Sequence, residues 1–91
     1  MTKAELTYAI AEKTGMDRKA VLNIVEALMD SIKESMEGGE EVFLRGFGSF
    51  ILKRRAEKTA RNIGANTTII IPAHDVPAFK PAKEFMEMMK K

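Results

Sequence analysis

The chain contains no cysteine, which excludes disulfide frameworks and thiolate metal sites. Tryptophan is absent, and Tyr8 is the only tyrosine. The one histidine, His74, has no second imidazole or thiol to join it in a ligand set. No metal is therefore expected, and His74 reads as a surface residue beside Asp75. No apolar run approaches the roughly 20 residues needed to span a bilayer. Nor does a basic segment followed by an apolar stretch open the chain. The expectation is a soluble, cytoplasmic protein without a membrane partner. No nucleophile–base pair and no phosphate-cradling glycine loop is present, so no enzyme activity, cofactor or small-molecule substrate is expected. Repeats and low-complexity tracts are also missing.

The 91 residues form one domain at most. Apolar residues make up 45% of the chain, and seven residues are methionine. A chain this small buries a modest fraction of its surface. Net charge is only +2, but its distribution is uneven. Residues 1–41 carry five cations against nine anions, and residues 42–91 carry ten cations against four anions. An acidic half and a basic half fit a surface that presents one face to an anion.

Thr2-Lys3-Ala4-Glu5 is a capping box that opens a first helix, with Leu6, Ala9, Ile10 and Lys13 spaced for one face. Gly15 can supply its left-handed C-terminal cap. Asp17 caps a second helix. Val21, Val25, Leu28, Ile32 and Met36 form its apolar stripe, which Leu22, Ile24 and Met29 widen. One short helix packing on one side needs less apolar surface than this. Packing across a dimer is therefore expected, the other reading being a crowded monomer core. Gly38-Gly39 ends the second helix.

Strands are expected at Glu41–Leu44 and from Ser49 onward, joined by the tight turn Arg45-Gly46-Phe47-Gly48. A returning strand covers Thr67–Ile71, where Pro72 interrupts pairing, and Val76–Phe79 is a further short extended piece. Pro81 suits the first turn of a last helix carrying Phe85, Met86, Met88 and Met89. The order is ααβββα, an α+β fold.

Five cations, Lys53, Arg54, Arg55, Lys58 and Arg61, fall within nine residues. A turn through Asn62, Gly64 and Asn66 follows, which makes the segment a long basic β-hairpin. Alternation places Lys53, Arg55 and Arg61 on one face with Thr59. A charge run is ordinarily a solvated face. Here it lies on a two-stranded ribbon that the rest of the chain cannot cover, and such a ribbon is marginal in water. A polyanion is its natural partner, with counterion release on binding. Ile63 sits near the tip. A lone exposed aliphatic residue usually signifies nothing, yet minor-groove proteins often wedge one between base steps. The helix–Gly15–helix segment superficially suggests a helix-turn-helix. Its candidate recognition helix, beginning Asp17-Arg18-Lys19-Ala20-Val21-Leu22, is otherwise acidic or apolar and offers little to phosphates or base edges.

At Gly46-Phe47-Gly48-Ser49-Phe50, Ala60-Arg61-Asn62, Ile71-Pro72-Ala73 and Val76-Pro77-Ala78-Phe79-Lys80-Pro81 the chain resembles the HU and integration host factor family of bacterial histone-like proteins. The resemblance extends over essentially the whole chain. It implies an intertwined dimer with a helical base and one β-ribbon arm per subunit embracing double-stranded DNA. By position, Lys53, Arg55, Lys58, Arg61 and Asn62 resemble the arm contacts. Lys3, Lys80 and Lys83 resemble the lysines that hold the outer DNA. Phe47, Phe50 and Phe79 look like the shared dimer core, to which the apolar stripe adds Leu28 and Ile32. Gly46 and Gly48 shape the turn below it. Two positions depart from the pattern. Ile63 stands where a proline wedge is usual, so it lacks the ring that presets the backbone. Thr67, Thr68 and Ile70 stand where acidic residues are common, which removes negative charge from the arm.

The organisation expected is a single domain, 1–91. A helical dimerisation base covers 1–40, and a three-stranded sheet covers 41–81 with its arm at about 53–74. A C-terminal helix covers 82–91. The function expected is nucleoid-associated binding, bending and compaction of double-stranded DNA with little sequence preference, by a homodimer or a heterodimer. The alternatives are a sequence-selective subunit of the host-factor type and a dimerisation module that binds no DNA.

Overall fold

The computed structural model describes residues 1–62, 64 and 67–90, without the side chains of Arg61 and Asn62. Helix α1 (Lys3–Thr14) begins where the Thr2 hydroxyl accepts from the Glu5 amide, and ends at Gly15 with φ 74°. Helix α2 (Arg18–Glu37) is capped by the Asp17 carboxylate, which accepts from the Ala20 amide. Strands β1 (Val42–Leu44), β2 (Gly48–Arg55), β3 (Lys58–Asn62), β4 (Thr67–Ile71) and β5 (His74–Pro81) follow, then helix α3 (Lys83–Met89).

Within the single chain, α1 buries a face beside the one on which Leu6, Ala9, Ile10 and Lys13 are spaced. Thr7 and Ala11 are buried, whereas Leu6 is exposed. The Thr7 hydroxyl donates to the Lys3 carbonyl one turn back (2.8 Å), so it can lie against α2 without an unsatisfied proton. Arg18 stacks over the Tyr8 ring at 5.0 Å, which ties the start of α2 to α1.

Strands β1, β2 and β5 form an antiparallel sheet in the order β1-β2-β5, and β3 pairs with β4 alone. The ααβββα order thus becomes two helices, five strands and a helix, because the two long strands of the hairpin are each interrupted. Ladder pairing runs from Gly48↔Pro81 to Arg55↔His74, stops, and resumes at Lys58↔Ile71. Two residues on each side lie between, Ala56-Glu57 and Pro72-Ala73, so the register does not slip. Pro72 has no N–H to give a ladder at that level. The piece expected at Val76–Phe79 is the eight-residue strand β5. It tolerates Pro77 and Pro81 because it pairs on one side only, leaving proline nitrogens free to face away from β2. Pro81 therefore closes a strand and does not open a helix; the N-cap of α3 is Ala82.

Gly46 turns the chain between β1 and β2 with φ 81°, a left-handed backbone that side chains other than glycine rarely adopt. Gly48 is needed for a different reason. A Cβ there would lie 2.6 Å from Phe79 Cε1 and 2.7 Å from the Lys80 carbonyl oxygen. The Phe79 ring lies on this bare backbone and collects its neighbours. Ring centroids are 5.2 Å from Phe47, 5.1 Å from Phe50 and 6.4 Å from Phe85. These tilted and edge-on contacts join β2, β5 and α3.

Little else is enclosed. Among the described residues the buried apolar side chains are Ala11, Val21 and Met36. Phe79, Phe47 and Leu28 remain 40%, 46% and 51% exposed. The radius of gyration is 18.6 Å, against about 12 Å for a compact domain of this length.

Replacing Gly48 with Ala should destabilise the fold by about 1–3 kcal/mol, because the ring or the strand must move. In a circular-dichroism melt the midpoint should fall by at least about 4 °C. An unchanged midpoint would show that Phe79 relaxes freely.

Candidate nucleic-acid interface

The arm is built from β2 and β5 at its base and β3 and β4 beyond the interruption. Side chains alternate along each strand. Lys53 and Arg55 therefore share one face of β2, while Arg54 takes the other. There Arg54 Nη1 meets Asp75 Oδ1 at 3.4 Å, directly across the ladder. The pair is exposed and partly neutralises that face. Lys53 and Arg55 have no ion pair of this kind among the described residues.

Beyond the interruption, Lys58 stands opposite Ile71, Thr59 opposite Ile70 and Ala60 opposite Ile69. All three isoleucines are exposed. Their β-branched side chains favour extended backbone and pack across the ribbon. This gives a physical role to a run that charge patterning does not explain. The strand continues through Arg61 and Asn62, paired with Thr68 and Thr67. Ile63 lies outside the described residues.

At the interruption the strands part around a cleft of about 270 Å³, lined by Arg55, Ala56, Lys58, Ile71, His74 and Val76. Two of the expected arm cations thus meet at one place. His74, read from sequence as a surface residue beside Asp75, sits directly across the ladder from Arg55. Its Nδ1–H donates to the Pro72 carbonyl at 2.9 Å. Sequence inspection missed this because the pairing of residue 55 with 74 depends on the register of the whole hairpin.

The remaining expected cations lie elsewhere. Lys80 is in β5 opposite Ser49, and Lys83 opens α3. Lys3, at the start of α1, is ion-paired with Glu26 of α2, a partner not foreseen from the sequence. No cluster of histidine and carboxylate side chains that could hold a metal occurs among the described residues. None of their helices is long and apolar enough to cross a membrane.

Helices that carry a paired sheet, extended into a two-stranded cationic ribbon, define a class of small α+β ribbon-arm proteins. The particular family follows from comparison. The family described as Bacterial DNA-binding protein matches residues 1–90, and the chain belongs to it. This is a family of DNA-binding proteins rather than of enzymes. The chain is 41% identical over 90 residues to the DNA-binding protein HU of Geobacillus stearothermophilus, covering 99% of this chain and 100% of that one. It is 37% identical over 84 residues to the integration host factor subunit alpha of Pseudoalteromonas atlantica, covering 92% and 86%. Its backbone superimposes with a TM-score of 0.87 on an Anabaena HU cocrystallised with DNA, at 39% identity and with 97% and 96% of the two chains covered.

The Lys3–Glu26 pair is exposed on both sides, and such pairs contribute about 0–1 kcal/mol. Glu26→Gln should therefore shift the urea midpoint only slightly, and the shift should shrink in high salt. A loss well above 1 kcal/mol would mean that the pair holds α1 to α2.

Proposed function

We propose that the protein is a dimeric, non-catalytic, nucleoid-associated protein that binds, bends and compacts double-stranded DNA with little sequence preference. The observation that carries the reading is the arm: an uncovered cationic ribbon with Lys53 and Arg55 on a face free of Asp75. Phosphates would be met by Lys53, Arg55, Lys58, Arg61 and Asn62 along the arm, and by Lys3, Lys80 and Lys83 nearer the body. Lys3 must exchange Glu26 for phosphate to take part. These residues offer charge more than base-edge chemistry, so affinity would rest on phosphates and on DNA deformability. Ile63 is proposed as the wedge at the tip.

Dimerisation is supported by what the single chain leaves uncovered. Its surface is 7755 Å², against roughly 5,300 Å² for a compact protein of its mass. Part of the excess is the arm. The rest includes the exposed Leu28, Phe47 and Phe79 and a largely apolar cleft of about 320 Å³ lined by Met29, Ile32, Lys33, Met36, Phe50 and Pro77. A second copy would bury Leu28 and Ile32 of α2 together with Phe47, Phe50 and Phe79, in the manner of an obligate interface. The identity to an integration host factor subunit favours a second reading, a sequence-selective subunit that pairs with a different chain. Competition between a random duplex and defined sites separates the two.

Affinity measured against salt tests the DNA reading, since a slope near zero would overturn it. Arg55→Ala should weaken binding to all sequences alike and lower the salt slope by roughly one. Ile63→Ala should reduce bending, read by energy transfer across an end-labelled duplex, more than it reduces affinity. Unchanged bending would remove the wedge. Leu28→Asp should shift the sedimenting species from dimer toward unfolded monomer, and an unaltered dimer would place the interface elsewhere.

A further inference from the structure

The interruption of the arm is more than a gap in pairing. It brings Arg55, Lys58 and His74 to the lining of one cleft of about 270 Å³. That space equals roughly nine waters, room for a phosphate and part of its hydration. All three side chains are solvent-accessible, so a DNA backbone can reach them. His74 is also held in one orientation. With Nδ1–H committed to the Pro72 carbonyl, Nε2 is the nitrogen left for an outside ligand.

The protonation state of that nitrogen decides what it can bind. In the neutral ring with a proton on Nδ1, Nε2 is an acceptor and repels a phosphate oxygen. In the cation, Nε2–H becomes a charge-assisted donor. The groups around it fix when the cation is favourable. Arg55 faces it from β2 and Lys58 from β3, so an anion seated among the three would meet cations from two strands. Asp75 follows in β5 but points to the other face, toward Arg54. Glu57 lies in the joint between β2 and β3 and is not among the residues that line the cleft. A phosphate in the cleft would be the dominant counter-charge.

The geometry points to a proton-coupled phosphate site: Arg55, Lys58 and His74 together hold one backbone phosphate of DNA at the joint of the arm, and His74 takes up a proton as the phosphate arrives. This rests on the DNA-binding reading above and adds to it a residue and a pH dependence. Histidine is the side chain whose charge ordinarily changes between about pH 5 and 8. DNA affinity should therefore vary within that range.

The test is fluorescence anisotropy with a labelled random duplex at constant salt, at about pH 8 and about pH 6. The unmodified protein should bind roughly threefold to tenfold more tightly at the lower pH, linkage of one proton limiting the gain to about tenfold per pH unit. Its salt slope should rise by up to about one. His74→Gln should lose the pH response, and His74→Lys should bind tightly at both pH values. A flat profile in the unmodified protein, or an equal response in His74→Gln, would overturn the proton-coupled site and leave DNA binding intact. No binding at either pH would overturn the DNA-binding reading, and this inference with it.

Discussion

The contact on which the rest of the structure depends is that of the Phe79 ring with the bare backbone of Gly48. It brings β5 onto β2 and sets Phe47, Phe50 and Phe85 around one ring, and beside it the Ala82 amide donates to the Phe47 carbonyl where α3 begins. Every rung of the β2–β5 ladder is counted from Gly48↔Pro81. That count places Arg55 opposite His74 and Arg54 opposite Asp75. A backbone–ring contact at one end of the hairpin thus sets the charge pattern at the other.

Much of this was legible in the sequence. The caps at Thr2, Gly15 and Asp17 work as local chemistry requires, since each depends on residues within one turn. The basic ribbon was legible because its cations, turn residues and β-branched return strand lie close together in the chain. Less visible were features that depend on distance. Lys3 finds Glu26 across a helix pair, and His74 finds Arg55 through nineteen residues of hairpin. Periodicity does not single out Thr7 for the face that α1 buries within the single chain, because Thr7 counts as polar, although its hydroxyl is satisfied by its own helix. Pro81 was read as a helix opener because proline suits both an N1 position and an outward-facing edge, and only the sheet order distinguishes them.

The arm also combines two mechanical demands. Its base is anchored by a continuous eight-rung ladder, and its outer part by five further rungs. Between them, Ala56-Glu57 and Pro72-Ala73 form no ladder pairs. Bending at that level breaks none, so the outer ribbon can follow a curved backbone while each part keeps its own pairing. The isoleucines on β4 suit this division, since they stiffen a ribbon that has no helix to lie on.

Glu41 has a consequence of another kind. Strand β1 is only three residues long, so β2 continues past it with an unpartnered edge. The Glu41 carboxylate accepts from the Leu52 amide at 2.9 Å, the rung where β1 would otherwise have continued. An incoming strand would have to displace a bound carboxylate before it could pair there. Such a charged stopper on an open edge disfavours strand-on-strand growth into fibrils. One acidic side chain thus helps a chain with so much uncovered apolar surface to avoid uncontrolled aggregation while it awaits its partner.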